Sequence, residues 1–325
     1  MATKRYPSAI LATCVLPWRS DYVVDEGLFR AEITLLREKL TRRLYLFGTA
    51  GEGYAVSDPQ FKQLVRVFYS EMSGPDDHPM VGVISLSLAT IVERIEYCAS
   101  LGIKDFQISL LSWGALTDRE VDVFFDEVCS RFPSCRFLHY NLIRAQRMLI
   151  GADYARLSAA PSNLVAVKMG GGDPTVLLDI LKRAPALQCY FTEFGYASIR
   201  DAFECGLLLS VSMVNFERAK LFFASRGEQL AVLSEELELV MKPLIRAVDN
   251  LGHMDGAYDK LLLKTHLPDF PLRLLPPYNS AEEHCFSKFL SELPVAWKPT
   301  PPCYGSANCS ATTPIPGCNH RPLAI

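Results

Sequence analysis

The sequence predicts an α/β fold, a (β/α)8 barrel with a helical C-terminal extension. Eight short apolar segments follow one another within roughly the first 215 residues, and helix-like segments separate them. Most of the eight are apolar on both faces, which is typical of parallel strands that are covered on both sides. The candidate strands are 8–16, 43–47, 80–84, 105–110, 136–141, 164–168, 187–191 and 207–212.

Helix-start signals support the segments between the strands. A capping residue followed three positions later by Glu or Gln occurs twice, and one Asp stands directly ahead of a proline. Segments 92–99 and 199–205 are predicted helices with a less regular apolar period. The start signals are Ser57 with Gln60, Thr117 with Glu120, and Asp173 with Pro174.

A doubly wound open sheet is the alternative architecture. That fold usually carries a G-x-G-x-x-G turn after its first strand, where it binds a dinucleotide. Here the first candidate strand ends in Leu16-Pro17-Trp18 without such a turn, so the closed barrel is favoured.

Beyond residue 215 the pattern becomes helical and then changes again. We expect residues 1–215 to form the barrel and residues 216–297 to form a helical extension of the same domain. Residues 298–325 are rich in Pro, Thr, Ser and Asn, a composition typical of a disordered tail. The predicted helices of the extension are 217–224, 228–250, 257–267 and 281–290.

The composition argues against several classes of function. The 325 residues carry a formal net charge of −3, which predicts neither a nucleic-acid partner nor binding to an anionic membrane surface. No apolar run approaches the ~20 residues of a spanning helix, and segment 9–16 lacks a signal-peptide cleavage site, so we expect a cytoplasmic protein. The ten cysteines form no C-x-x-C pair, so isolated buried thiols are expected and a zinc site is not.

One lysine closes the sixth candidate strand, at the end where a barrel places its active site. Burial of Lys168 at the barrel mouth would disfavour its ammonium form. The free amine is the form that attacks a carbonyl group to make a Schiff base. The alternative is a lysine that extends to solvent and binds nothing.

A tyrosine near the end of the fifth candidate strand is the second catalytic candidate. His139 and Tyr140 point to opposite faces, because side chains alternate along a strand. An inward Tyr140 would lie one strand away from Lys168 and would pass protons there. The alternative is a core tyrosine whose hydroxyl group is satisfied by the backbone.

The second candidate strand leads into the loop G-T-A-G-E-G at residues 48–53. Its three glycines allow a tight turn, and backbone N–H groups exposed in such a turn bind an anion such as a carboxylate. Gly48, Thr49 and Ala50 are therefore candidate substrate-binding residues. A plain glycine-rich barrel loop is the alternative.

Other polar or aromatic residues follow the remaining strands. Glu193, after the seventh strand, is expected to bind substrate hydroxyl groups at the mouth unless it is a solvated loop carboxylate. Trp113, after the fourth strand, is expected to wall the pocket or to pack at its rim. Ser210 and Arg144 complete the candidate residues for substrate specificity.

Together these segments resemble the dihydrodipicolinate synthase / N-acetylneuraminate lyase superfamily of class I aldolases, over roughly residues 8–295. The order and spacing of the motifs carry the resemblance, since each motif alone is weak. The motifs are Leu16-Pro17 with Asp25, the loop Gly48-Thr49-Ala50-Gly51-Glu52, the pair Tyr140-Asn141, the strand Val165-Ala166-Val167-Lys168, and residues 209–215.

The resemblance implies a Schiff-base-forming lyase of the pyruvate aldolase type that needs no metal and no organic cofactor. Lys168 would condense with the carbonyl group of pyruvate or another 2-oxo acid, and Tyr140 would move protons to and from the aldol oxygen. Thr49 and Ala50 would hold the substrate carboxylate, chiefly through their backbone N–H groups. The resemblance also implies an aldehyde or sugar-acid partner substrate and a homotetramer or homodimer.

Three departures from the superfamily pattern argue against the synthase reaction of lysine biosynthesis. Trp113 stands where the synthases have a tyrosine donated across a dimer, Ala50 replaces a threonine, and the synthase arginine position falls on Ala145, next to Arg144. Two alternatives to the lyase stay open. One is a hydro-lyase that dehydrates a sugar acid or 2-oxo acid with the same lysine, and the other is a catalytically silent barrel that acts as a binding protein.

Overall fold

The computed structural model describes residues 5–159, 163–170, 172–248 and 254–299. Eight parallel strands form a closed barrel in which each strand pairs with the next and the last pairs with the first. The predicted (β/α)8 barrel is confirmed, and the open sheet is wrong because no strand of this barrel lies at an edge. The strands are β1 (Ile10–Thr13), β2 (Arg43–Leu46), β3 (His78–Gly82), β4 (Asp105–Ile108), β5 (Arg136–Asn141), β6 (Leu164–Met169), β7 (Gln188–Phe191) and β8 (Gly206–Leu208).

Each strand is followed by a helix, and three more helices form the C-terminal extension. The helices of the barrel are α1 (Glu26–Lys39), α2 (Asp58–Glu71), α3 (Leu88–Ser100), α4 (Asp118–Phe125), α5 (Gly151–Leu157), α6 (Pro174–Arg183), α7 (Glu193–Ile199) and α8 (Phe216–Ala224). The helices of the extension are α9 (Gly227–Ala247), α10 (Asp255–Lys264) and α11 (Glu283–Glu292).

The predicted helix-start signals are confirmed. Ser57 and Thr117 each accept a hydrogen bond from the backbone of the third helical residue, whose own side chain bonds back to the capping residue. The side chain of Asp173 accepts from the N–H of Thr175, and Pro174 is the first residue of α6. These contacts satisfy backbone donors that have no partner within the helix.

The helix predicted at 199–205 is wrong. The helix of this unit, α7, begins directly after β7 and ends at Ile199. Gly195 allows this short connection, because a Cβ atom there would lie 3.1 Å from Cβ of Phe191. Tyr196 and Ile199 are therefore buried residues of a helix that begins before the predicted segment.

A polar floor closes the barrel at the amino ends of the strands. The Tyr6 hydroxyl donates to Asp105 at 2.8 Å, and the Arg136 guanidinium donates to both oxygens of the same carboxylate at 2.8 and 2.9 Å. Paired charges of this kind are tolerated at a barrel base because each is hydrogen-bonded. A cavity of about 350 Å³ lies at the opposite end of the barrel, at the carboxyl ends of the strands.

Helix α8, the last helix of the barrel, starts at Phe216, and α9, α10 and α11 follow it from Gly227 onward. The division into residues 1–215 and 216–297 stays a prediction, and from residue 300 onward the predicted tail lies outside the described residues. Within the described ranges, no helix is both long enough and apolar enough to cross a bilayer. The seven cysteines in these ranges are free thiols, and six of them are buried.

Candidate active site

Lys168 is held inside the carboxyl end of the barrel. Its Cα atom is in register with that of Tyr140 on the neighbouring strand, and its side chain is 1% exposed. The Nζ atom lies 3.9 Å from the ring centroid of Tyr45 and 4.0 Å from that of Tyr140. Among the described residues it has no hydrogen-bond partner, and Lys168 lines the cavity at this end of the barrel.

The surroundings of Lys168 favour the neutral amine. Burial lowers the pKa of Lys168 well below its usual value, and the carboxyl groups of Asp255 and Asp259 oppose that shift only in part. The amine is thus available as a nucleophile at neutral pH.

Tyr140 lies beside this amine with its hydroxyl group in the cavity. The Thr49 hydroxyl donates to the Tyr140 oxygen at 3.4 Å. Burial raises the pKa of Tyr140, so the phenol keeps its proton at neutral pH. His139 points the other way, where its Nδ1 lies 2.7 Å from the hydroxyl oxygen of Tyr154, as the strand alternation predicts.

The loop after β2 brings Thr49 and Ala50 to the cavity wall. Among the described residues, the backbone N–H groups of Thr49 and Ala50 donate no hydrogen bond, whereas the Gly53 N–H closes the turn on the Gly48 carbonyl at 3.2 Å. Gly48 itself does not line the cavity. A Cβ atom there would lie 2.5 Å from the Tyr45 ring, so this glycine makes room for one of the rings beside Lys168.

A buried carboxylate anchors this loop to the extension. Oε1 of Glu52 accepts from Nε1 of Trp18 at 2.9 Å and from Nζ of Lys260 at 2.6 Å, and Oε2 accepts from the Leu275 N–H at 2.7 Å. The Glu52 and Lys260 side chains have no exposed surface. The loop and α10 therefore hold a fixed position relative to each other.

The extension supplies one wall of the cavity, which encloses about 350 Å³. This wall was not predicted from the sequence. Its residues on α9 are apolar, and three of its four residues on α10 are acidic or phenolic. They are Met241, Leu244 and Ile245 on α9, and Asp255, Tyr258, Asp259 and Leu262 on α10. The only sequence signal was the spacing of the two aspartates, which places them on one face of a helix.

Glu193 does not line the cavity as expected. It is buried, and its Oε1 accepts hydrogen bonds from the backbone N–H groups of Ser210 and Ser212 at 2.8 and 2.9 Å and from the Ser212 hydroxyl at 2.6 Å. This oxygen is occupied by three donors of the segment after β8. Ser210 does line the cavity, and Glu193 holds it there.

Trp113 and Arg144 lie apart from the amine. Trp113 is 86% exposed and lines neither cavity at this end of the barrel. Arg144 donates to Asp255 at 3.0 Å and lines a neighbouring cavity of about 250 Å³, together with Ala145. Thr49 lines both cavities, so they adjoin at its side chain.

Comparison with known proteins gives partial sequence matches. No family model matches the chain. An N-acetylneuraminate lyase from Gallus gallus is 24% identical over 160 residues, which are 46% of this chain and 52% of that protein. A probable 5-dehydro-4-deoxyglucarate dehydratase from Rhodococcus jostii (strain RHA1) is 27% identical over 169 residues, 51% of this chain and 53% of that protein. The chain spans about half the length of the curated relatives it matches.

Solved structures match the whole fold. The N-acetylneuraminate lyase of Proteus mirabilis has a TM-score of 0.77 at 15% identity, covering 89% of this chain and 98% of that one. YagE, a prophage protein of the dihydrodipicolinic acid synthase family from E. coli K12, was solved with pyruvate. It has a TM-score of 0.76 at 13% identity, covering 88% and 98% of the two chains. The resemblance to the dihydrodipicolinate synthase / N-acetylneuraminate lyase superfamily is confirmed.

Four of the five motifs that carry the superfamily resemblance contribute residues to one cavity, and the motif of Leu16-Pro17 with Asp25 does not. Thr49, Ala50, Tyr140 and Lys168 all line it, although they come from three separate strand ends. Two of the departures from the superfamily pattern lie elsewhere, since neither Trp113 nor the residue at the synthase arginine position faces the amine.

Proposed function

We propose that the protein is a Schiff-base-forming lyase of the pyruvate aldolase type, with Lys168 as its nucleophile. The observation that carries the proposal is the Lys168 amine, which is buried, lies between two tyrosine rings and has no hydrogen-bond partner within the described ranges. Removal from water keeps part of this amine unprotonated, which is the state that attacks a ketone.

The reaction begins with addition of the amine to the carbonyl carbon of the keto acid. Loss of water leaves an imine on Lys168, whose protonated form withdraws electrons from C3. A bond from C3 to a proton or to a carbon fragment can then break or form. Tyr140 is placed to exchange a proton with the aldol oxygen, and Thr49 orients its hydroxyl group.

The loop after β2 supports binding of the substrate carboxylate. Two adjacent backbone N–H groups, of Thr49 and Ala50, lack hydrogen-bond acceptors among the described residues and adjoin the cavity that holds Lys168. Such a pair stabilises an anion. YagE, solved with pyruvate, shares the fold, and this supports pyruvate as the keto acid. We expect the partner substrate to be an aldehyde or a sugar acid, and the names of both curated relatives contain a sugar acid.

Dehydration is the second candidate reaction. One curated relative carries the name of a probable dehydratase, and the same imine at Lys168 also acidifies C3 for loss of water from the neighbouring carbon. Product analysis separates the two, because dehydration releases water without cleaving a carbon–carbon bond. A silent binding barrel, the third possibility, would leave Lys168 unreactive toward every keto acid.

The direct test is reduction with borohydride in the presence of a panel of 2-oxo acids, followed by an aldehyde screen. We expect the native protein to gain a stable adduct with pyruvate and Lys168→Ala to gain none. Lys182→Ala is the matched control, because Lys182 is an exposed lysine on α6 and its loss should leave the adduct unchanged. A native protein that forms no adduct with any keto acid would contradict the proposal.

We also propose that the protein assembles as a homodimer or homotetramer. Trp113 is 86% exposed and Ile143 is 79% exposed, and large apolar side chains so exposed are typical of a contact surface. Light scattering after size exclusion tests this, since the native chain should exceed the mass of a monomer and Trp113→Ser should lower it. The cytoplasmic location stays a prediction.

A further inference from the structure

Helix α10 brings to the cavity a buried carboxyl group that has no task in the reaction as described so far. Asp259 is 7% exposed and lines the same cavity as Lys168. Within the part of the chain that the structure describes, its carboxyl group makes no hydrogen bond and no ion pair. Asp255, one turn earlier on the same helix, is not unpartnered, because its carboxylate accepts a hydrogen bond from Arg144. An unpartnered buried carboxyl group costs free energy, so its place in the cavity that also holds the Lys168 amine points to a task in the occupied site.

The position of Asp259 is fixed by its helix. The next residue, Lys260, is bound to Glu52 in the substrate-binding loop and also donates to the Arg273 carbonyl. One turn later, Lys264 donates to the carbonyl groups of Pro268 and Phe270 at 2.7 and 3.0 Å. The Lys260–Glu52 pair ties α10 to the loop at the barrel mouth, so the backbone of Asp259 holds a fixed position there.

We propose that Asp259 is the acid of imine formation and the counter-ion of the protonated imine on Lys168. The inference rests on the proposed function and adds a residue to it. The amine adds to the carbonyl carbon, the Asp259 proton goes to the departing hydroxyl group, and one water leaves. The products are a protonated imine, the Asp259 carboxylate and water, so atoms and charge balance.

The charge states of the two groups fit this step. Burial raises the pKa of Asp259 well above its usual value and lowers that of Lys168 well below its usual value, so burial favours the neutral acid and the neutral amine. Imine formation turns them into an ion pair. Opposite charges attract strongly in a site that excludes water, which favours the imine over the free ketone.

The other ionisable groups near the amine are less suited to this task. Tyr45 and Tyr140 are phenols whose pKa values burial raises, and the Asp255 carboxylate is paired with Arg144. Tyr258 of α10 also faces the cavity, as a phenol with a raised pKa. Glu193 adds negative charge near Asp259 but is enclosed by the donors after β8.

The test is the rate of borohydride-trapped adduct formation with pyruvate, measured across pH. In the native protein this rate should fall at acid pH as Lys168 is protonated and at alkaline pH as Asp259 loses its proton. Asp259→Asn should slow adduct formation by about 100-fold and should remove the alkaline fall. Asp259→Glu keeps a carboxyl group at this position, so it should keep a rate close to the native one and a fall in rate at alkaline pH. Asp269→Asn, an exposed carboxylate of the same extension, is the matched control and should change neither.

The outcomes separate the two proposals. A native protein that forms no adduct contradicts the proposed function. A native protein that forms the adduct, together with an Asp259→Asn variant of native rate and native pH profile, overturns the role of Asp259 alone. If Asp259→Asn does not fold, as judged by circular dichroism, Asp259→Ser decides, since a native rate with a native pH profile in that variant would also overturn it.

Discussion

Replacing Lys260 with methionine should both destabilise the protein and disable its site. The Lys260 ammonium lies 2.6 Å from a Glu52 oxygen, and neither side chain has exposed surface. Methionine fills a similar volume but leaves the Glu52 carboxylate buried without its counter-charge. Removing one partner of such a pair costs about 3–5 kcal/mol, because the remaining charge stays desolvated. For a chain of this size, that loss lowers the melting temperature by about 6–10 °C.

Two assays on the same samples check this prediction. Thermal unfolding followed by circular dichroism gives the stability, and borohydride trapping with pyruvate gives the function, which should fall because the loop and α10 lose their common anchor. Lys220→Met is the control, since Lys220 pairs with Glu217 at 2.6 Å on the surface and its loss should cost less than about 0.5 kcal/mol. If Lys260→Met melts within about 1 °C of the native protein, where ~2 °C corresponds to 1 kcal/mol, the buried pair does not hold the site together.

Three further changes give distinct signatures. Gly48→Ala places a Cβ atom 2.5 Å from the Tyr45 ring, so it should cost about 1–3 kcal/mol and reduce adduct formation at Lys168; an unchanged melting curve would refute the packing argument. Tyr140→Phe should still form the pyruvate adduct but lower turnover by about 100-fold, and undiminished turnover would show that the phenol moves no proton. Burial lowers the pKa of His139 to about 3. Between about pH 3 and about pH 6.5, the unfolded chain therefore binds a proton at His139 that the folded chain does not bind. Stability should therefore fall as the pH drops below about 6.5, by up to ~1.4 kcal/mol per pH unit, and urea titrations of His139→Gln should show a shallower fall.

The strands and the candidate catalytic pair, Lys168 and Tyr140, were predictable because their signals are local. Strand periodicity and capping residues are set by neighbours in sequence, and the structure confirms the eight strands together with the caps at Ser57 and Thr117. Lys168 and Tyr140 close adjacent parallel strands, so the barrel topology alone brings them together. No longer-range information was needed for this part of the site.

The acidic wall was not predictable because it depends on how the extension folds back. Asp255 and Asp259 follow the last strand by about fifty residues, and only the packing of α10 against the loop after β2 places them near the amine. Glu193 is the reverse case, because it was predicted to line the cavity and does not. A carboxylate directly after a strand suggests a substrate contact, but here it begins α7 and accepts hydrogen bonds from the segment after β8. Whether such a group faces the cavity depends on neighbouring loops that sequence periodicity does not describe.

Mapping the borohydride adduct to a single lysine tests the central claim most directly. Among the described residues, the buried Lys168 lines this cavity with an unbonded amine, whereas the buried Lys260 is bound to Glu52. Peptide mass spectrometry after reduction with pyruvate should find the adduct on the peptide that contains Lys168. An unmodified Lys168 peptide, or an adduct on Lys260 instead, would contradict the account.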